Sequence, residues 1–328
     1  MSYEKEKISI VIPCKDEHEG VMKLVNQLQF QDIINQIIIV DSSDQPLQLK
    51  EPKVKIIAAS SSNGPSVGLA RDIGYRYSSS SVILFLDADC TLPDGFMQGV
   101  EQGIRMLNGS IGCVGGPVES DVNASMLQRY YDHSLFSPFP RYYGTYIHGW
   151  SDMYKHHHPS TSNLLVKKEL LERVGGFHGG YGEDLDFMLR MAKQGFLIAY
   201  IATLKVHHNH RNTFRSIVRN FIRLGAYYPR TLIDFPSSPV LIHRIARLAF
   251  GFAPAFILIF TYPTMTIPSL LTPFLGYYLL RVKNVKAALL YTTLDCVLQL
   301  LVVPAGVLLG ILKRGRLVEK KVKKRSQS

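Results

Sequence analysis

Apolar and polar positions alternate in blocks along the first two hundred residues. Residues 8–13, Ile-Ser-Ile-Val-Ile-Pro, form a short β-branched run closed by proline, the signature of a buried strand. Val21, Leu24, Val25 and Leu28 then recur at helical spacing within 17–31. Ile37 to Val40 is a second buried strand ending at Asp41, and 54–58 predicts a third. Helical spacing returns over 66–77, and Val82 to Leu86 is the next strand, ending at Asp87. Strands alternating with helices predict a parallel sheet covered on both faces, with ligand bound beyond the carboxyl ends of the strands. Polar clusters follow three of these strands: Lys15 to Glu17, Asp41 to Asp44 and Asp87 to Asp89.

The pattern loosens over 111–162, where Tyr130, Tyr131, Phe136, Phe139, Tyr142, Tyr143, Tyr146 and Trp150 accumulate in a segment facing substrate or membrane. Helical spacing reappears at 164–174, closed by Gly175-Gly176, and at 184–194, closed by Gly195. Phe196 to Ile201 is the last predicted strand. Leu248 to Leu280 then contains no charged residue. It is long for one span of about 20 residues, and Pro263, Pro268 and Pro273 divide it, so a tight helical hairpin is expected. A basic turn follows with Arg281, Lys283 and Lys286. Ala287 to Leu312 is apolar again apart from Asp295, as a second hairpin, a re-entrant piece or an interfacial one.

Charge refines this picture. The net charge is +11, but Lys313 to Ser328 holds eight Lys or Arg and one Glu, +7, leaving +4 for the rest. A nucleic-acid-binding surface would spread its charge over a folded domain, so nucleic acid is excluded as a partner. Charged residues are only 19% of the 328, in keeping with a part of the chain in lipid. Basic segments favour the cytoplasmic face. The turn, the tail and the N-terminal domain are all expected there, with two or four crossings between. Met1 to Lys7 is polar, so no secretory leader is expected. Cys14, Cys90, Cys113 and Cys296 show no paired spacing and are expected as free thiols.

Asp87-Ala88-Asp89 is the first candidate for chemistry. Side chains at i and i+2 of an extended chain share a face. Two carboxylates there suit a hard cation that also grips phosphates, Mg²⁺ or Mn²⁺; a solvated turn would carry the same residues. The triplet has company. Ile12-Pro13-Cys14-Lys15-Asp16-Glu17, Val40-Asp41-Ser42-Ser43, Gly68-Leu69-Ala70-Arg71-Asp72 and Phe85-Leu86-Asp87-Ala88-Asp89 follow in order. Later come Thr161-Ser162-Asn163-Leu164, Val174-Gly175-Gly176-Phe177 and Gly182-Glu183-Asp184-Leu185-Asp186.

Over residues 8 to 225 this series resembles the family 2 glycosyltransferases. The resemblance implies an α/β, Rossmann-like GT-A domain at 1–225; hydropathy and charge place after it an interfacial linker at 226–247, transmembrane or re-entrant helices at 248–312 and a basic cytoplasmic tail at 313–328. It implies an inverting transfer of a sugar from a nucleoside-diphosphate donor, with Mg²⁺ or Mn²⁺ as cofactor; the apolar runs and basic segments add the expectation of a multi-pass protein of the cell membrane whose catalytic domain is cytoplasmic. Anchoring points to a lipid or lipid-linked glycan as acceptor.

Position by position, the resemblance gives Pro13, Asp16 and Glu17 to the first nucleotide loop and Asp41 to the base. Arg71 lies near the nucleotide, and Asp87 is shared between ribose and metal. Asp89 is the main metal ligand, joined by His207 or His208. Asp184 is the general base, and Asn163 and Glu183 belong to the acceptor side. Two positions depart from the pattern. Asp stands at 16 and 72 where Asn is more usual, and the second loop reads Asp-Ser-Ser-Asp.

Other readings of the same residues stay open. Asp184 fits a helix cap as well as a base. His156-His157-His158 fits a solvated loop. Arg211, Arg215, Arg219 and Arg223 form one stripe on a helix, either solvated or lying on anionic head groups. Asp295 is an ionisable residue within an apolar run and so a functional candidate. A sugar nucleotidyltransferase would ask for a Gly-rich basic loop, where 13–20 offers only Lys15 and Gly20. A non-catalytic membrane scaffold would tolerate loss of Asp89 or Asp184.

Overall fold

The computed structural model describes residues 7–59, 65–107, 109–137, 139, 144–155, 158–246, 261 and 263–312, with backbone alone over 263–270. Tyr142, Tyr143, His156, His157, the stretch 248–260 and the basic tail lie outside the described residues. The chain divides into two compact units: residues 1–124 with 138–210, and residues 125–137 with 211–328.

The first unit is built on an eight-stranded sheet. Its strands are β1 (Ile8–Cys14), β2 (Ile34–Asp41), β3 (Val54–Ala58), β4 (Val82–Leu86), β6 (Ile111–Gly115), β8 (Tyr146–His148), β9 (Asn163–Lys167) and β10 (Leu197–Tyr200), in the order β3-β2-β1-β4-β9-β6-β10-β8. A small second sheet runs β5 (Cys90–Thr91), β11 (Val206–His208), β7 (Val118–Ser120). Helices α1 (His18–Leu28), α2 (Val67–Arg76), α3 (Phe96–Met106), α5 (Lys168–Val174) and α6 (Glu183–Lys193) connect the strands. β1, β4 and residues 37–40 of β2 are buried on both faces, as strands covered by helices must be. The Ser66 hydroxyl caps α2 by accepting the Leu69 N–H.

The sheet is mixed rather than wholly parallel. β3, β2, β1 and β4 run parallel, but β9 lies antiparallel to both β4 and β6 at its centre. The helix expected over 164–174 is therefore half strand: Asn163–Lys167 is β9, and α5 begins only at Lys168. Leu164, Leu165 and Val166 are buried on both faces of the sheet, and such an uninterrupted apolar run does not distinguish strand from helix. Gly175 ends α5 in the left-handed conformation, at φ +82°.

The second unit is helical. It comprises α4 (Met126–His133), α7 (Phe214–Asp234), α8 (239–246), α9 (Pro263–Val282) and α10, which starts at Val285 and passes through a π turn at Leu298–Val302. Ser125 and Gln128 close a capping box on α4. In place of the linker expected at 226–247, α7 continues to Asp234 and 239–246 is helical. Pro268 and Pro273 do not break the apolar stretch: α9 runs through both.

Nor is the last apolar run a hairpin. Val285–Leu312 is one helix of 28 residues, about 42 Å long at the usual rise, and among the described residues it is the one helix long and apolar enough to cross a membrane. The hairpin is instead formed by α9 and α10, joined at 283–284. Asp295, fully buried, accepts the hydroxyls of Tyr130 (2.5 Å), Ser134 (2.7 Å) and Tyr278. These bonds tie α4 to the hairpin and satisfy a carboxylate that would be costly in isolation.

Candidate active site

The parallel register sets the ends of β1, β2 and β4 along one edge of the sheet, and Cys14 pairs with Asp41 across it. The loops that follow are tied together. Ser43 Oγ accepts the Asp16 N–H at 2.7 Å, and Asp16 Oδ1 accepts the Asp44 N–H at 3.2 Å. Asp16 has φ +59°, a conformation that Asp and Asn tolerate better than other side chains, so the departure from Asn costs the loop little. Pro13 is half-buried, and Glu17 is exposed; burial and the charges of Asp89 and Asp16 push its carboxyl up.

Asp41 is only 5% exposed, and both of its oxygens serve its own loop. Oδ1 accepts the Ser43 N–H and hydroxyl, at 3.1 and 2.6 Å, and Oδ2 accepts the Leu47 N–H at 2.7 Å. Burial alone would raise its pKa, but these bonds to the charged form outweigh it and hold the carboxyl below the usual range.

Asp87-Ala88-Asp89 follows β4. Gly20 of α1 lies directly on it: a Cβ there would stand 2.1 Å from the Ala88 carbonyl oxygen. Asp87 is held from two sides, by a salt bridge to Arg71 and by the Ser162 hydroxyl, which donates to Oδ2 at 2.5 Å. Burial opposes its ionisation, yet the charges of Arg71 and His208 and the bond from Ser162 keep its carboxyl well below the usual range. Arg71 is 2% exposed and also donates to Glu183 Oε1 at 2.7 Å. A buried guanidinium is sustainable only with such partners, so Arg71 links the turn after β4 to the start of α6. Burial in turn pushes the Glu183 carboxyl up to about 7, against the charge of Arg71.

The pairing of β11 settles which histidine faces the acidic turn. His208 pairs with Cys90 and His207 with Thr91, and neighbouring strand residues point to opposite faces. His208 is buried, with Nε2 at 3.1 Å from Asp89 Oδ1 and 3.8 Å from Asp87 Oδ2. Burial would lower its pKa, but Asp89 and then Asp87 raise it to about 10. Phe139 and His210 stack on its ring, with centroids 5.9 and 4.8 Å away.

Two carboxylates and an imidazole converging in this way are a fitting donor set for a divalent cation. The buried His208 Nδ1 has no hydrogen-bond partner among the described residues. Cys90 lies within the same cluster, but its Sγ faces the Ser162 carbonyl at 3.8 Å and burial pushes the thiol well up. It therefore packs as a neutral thiol.

The acceptor-side residues are placed unequally. Asn163 is fully buried, and its amide donates to the Leu204 carbonyl. It thereby anchors the turn that presents Ser162, a residue the sequence motif contains but does not single out. Asp184 sits in the first turn of α6, whose N-cap is Gly182 at φ +78°, and accepts the Leu185 N–H at 2.7 Å. It thus takes up one of the free N–H groups of the helix end. Asp186 is engaged by Arg190 and His178, at 2.9 and 3.0 Å.

A family model described as glycosyl transferase family group 2 matches residues 82–311, from β4 through the C-terminal helices. Glycosyltransferase AglE of Haloferax volcanii is 24% identical over 233 residues, 66% of this chain and 71% of that relative. Among solved structures, the mannosyltransferase PcManGT of Pyrobaculum calidifontis, in complex with GDP-Man and Mn²⁺, superposes with a TM-score of 0.55 at 15% identity, covering 94% of this chain and 88% of that one. That likeness gives the first unit its fold, GT-A. With the family model spanning well over half of the sequence, the chain belongs to the group 2 glycosyltransferases.

Proposed function

We propose that this glycosyltransferase takes a sugar from a nucleoside-diphosphate donor and passes it, with inversion, to a lipid or lipid-linked glycan. The observation that carries the reading is the convergence of Asp87, Asp89 and His208 beyond the carboxyl end of β4. The structural neighbour that holds GDP-Man and Mn²⁺ supports a nucleotide-sugar donor and a divalent cation. Asp89 and His208 are the protein ligands, with Asp87 shared between cation and ribose, and Mn²⁺ or Mg²⁺ is the cation. When bound, it offsets the negative charge that gathers on the departing diphosphate.

The remaining residues have separate tasks. The linked loops around Pro13, Asp16, Glu17 and Asp41 form the floor for the nucleoside. Arg71 holds Asp87 from beneath, and Glu183 completes that bridge. Asp184 receives the acceptor's proton while the hydroxyl attacks the anomeric carbon from the face opposite the leaving group. Its position in the first turn of α6 favours the ionised form that this role needs. An acceptor that is already an anionic phosphate has no proton to give, and Asp184 then orients it. Asn163 acts through the turn that carries Ser162.

The chain is placed at the cell membrane, attached through the helical unit and multi-pass, with the catalytic unit cytoplasmic. In this reading α9 and α10 cross once each, which keeps the tail on the catalytic side and moves the basic 281–286 turn, expected above on the cytoplasmic face, to the far side, because α10 is continuous. The test of the whole reading is direct. The purified chain is incubated with labelled nucleotide sugars and a membrane lipid extract, with and without Mn²⁺ or Mg²⁺. Labelled lipid with release of a nucleoside diphosphate is expected; release of pyrophosphate would refute it.

A further inference from the structure

The helical unit contains a groove of about 610 Å³ that none of the chemistry above uses. Its walls come from three helices: Pro229 and Leu232 on α7, Leu241 and Arg244 on α8, and Val303 and Leu308 on α10. Its size falls within the roughly 300–1,000 Å³ of small-molecule sites. The groove begins beside a backbone crossing. A Cβ on Gly225 would stand 2.3 Å from the Val303 carbonyl oxygen, and one on Gly306 would stand 2.3 Å from that of Ile222. Small residues thus let α7 and α10 touch directly. Pro229 and Leu232 follow Gly225 at i+4 and i+7, so the face of α7 that meets α10 becomes the groove wall one turn later. On the opposite wall the π turn at Leu298–Val302 precedes Pro304. Such turns accompany functional sites more often than plain helix does.

Charge identifies the occupant. Arg244 is the one charged residue lining the groove, and it forms no ion pair among the described residues. A lone cation on an otherwise apolar wall complements an amphiphile with an anionic head. Arg215, Arg219 and Arg223 add an exposed basic face on α7, while Arg211, expected on the same stripe, precedes the helix. We propose that the groove receives the hydrocarbon chain of an anionic lipid-phosphate acceptor, whose phosphate meets Arg244. This rests on the reading of the acceptor as lipid-borne.

The experiment measures transfer by the full-length chain in lipid nanodiscs to a long polyprenyl phosphate and to geranyl phosphate, which has the same head and a short tail. Leu308→Trp, at a side chain 58% exposed, fills the groove and raises the ratio of the two KM values, long over short, about tenfold, the cost of two or so displaced methylene groups. Leu309→Trp, exposed and outside the lining, leaves that ratio unchanged. Arg244→Gln raises both KM values by a similar factor. An unchanged ratio in Leu308→Trp, or the same shift in Leu309→Trp, overturns the proposal. So does unchanged KM for both acceptors in Arg244→Gln. A change of oligomeric state in Leu308→Trp assigns the groove to a second copy of the chain and equally overturns it. If the unaltered chain modifies a soluble glycan and no polyprenyl phosphate, the lipid-acceptor reading itself has failed, and the groove proposal falls with it.

Discussion

The Arg71 guanidinium closes a salt bridge on Asp87 from inside the protein, while its other arm holds Glu183, 112 residues away in sequence. One buried cation therefore fixes both the carboxylate at the end of β4 and the first residue of α6. Removing it strands two carboxylates. Arg71→Ala is expected to lower stability by about 3–5 kcal/mol, the usual range for breaking a buried ion pair from one side. Chemical denaturation measures this. A loss below about 1 kcal/mol would mean that water reaches the pair and compensates it.

Asp89 and Asp184 are assigned different tasks, and kinetics can separate them. Asp89→Ala should abolish the stimulation of turnover by Mn²⁺ or Mg²⁺. Asp184→Ala should reduce kcat for a hydroxyl acceptor by about 10²–10⁴-fold with donor affinity preserved, as read by calorimetry with the nucleoside diphosphate. Equal damage to donor binding by both substitutions would contradict this division.

His208 links the cation to pH. In chelator-treated protein its pKa is raised to about 10 by Asp89 and Asp87, above the unfolded value near 6.5. The ion pair therefore contributes its full stability below about pH 6.5 and loses it as pH rises through about 10. A cation must displace that proton, so Mn²⁺ affinity should rise about tenfold per pH unit between these limits. Titration calorimetry at several pH values checks it, and His208→Gln should flatten the slope. A slope that survives in His208→Gln would place the displaced proton elsewhere.

Membrane topology gives a fourth test. Because α10 is one continuous helix, the 283–284 turn and the basic tail lie at its opposite ends. Asn284→Cys and Gly315→Cys should be labelled by an impermeant reagent from opposite sides of sealed vesicles. The four native cysteines are buried and should stay silent. Labelling of both from one side would mean that α10 lies along the membrane surface.

The chemistry of this site is legible in the sequence wherever it follows a strand that local pattern reveals. β1, β2 and β4 each carry a short apolar run, so spacing alone puts Asp41 at the end of β2 and Asp87 and Asp89 just past the end of β4. β6, Ile-Gly-Cys-Val-Gly, carries two glycines and few branched residues, which hides its strand. Ser162 and the choice of His208 over His207 depend on pairing between distant strands, which local spacing does not encode. The bridge from Arg71 to Glu183 is equally invisible along the chain: each residue stands out singly, but their relation exists only in three dimensions. Tyr130 belongs to the loose aromatics of 111–162, and nothing near it in sequence points to a helix whose partner lies far downstream.

That helix has a consequence for how the molecule is made. The Tyr130 hydroxyl waits for Asp295, 165 residues further along the chain. At about 5–20 residues per second of synthesis, α4 leaves the ribosome roughly 8 to 33 seconds before its partner exists. Through that interval its buried tyrosines have no place to go, and a chain cut short after His210 never supplies one. The nascent protein should therefore draw on chaperones or on the membrane itself while α4 is exposed, and its folding is complete only when the last helix has arrived.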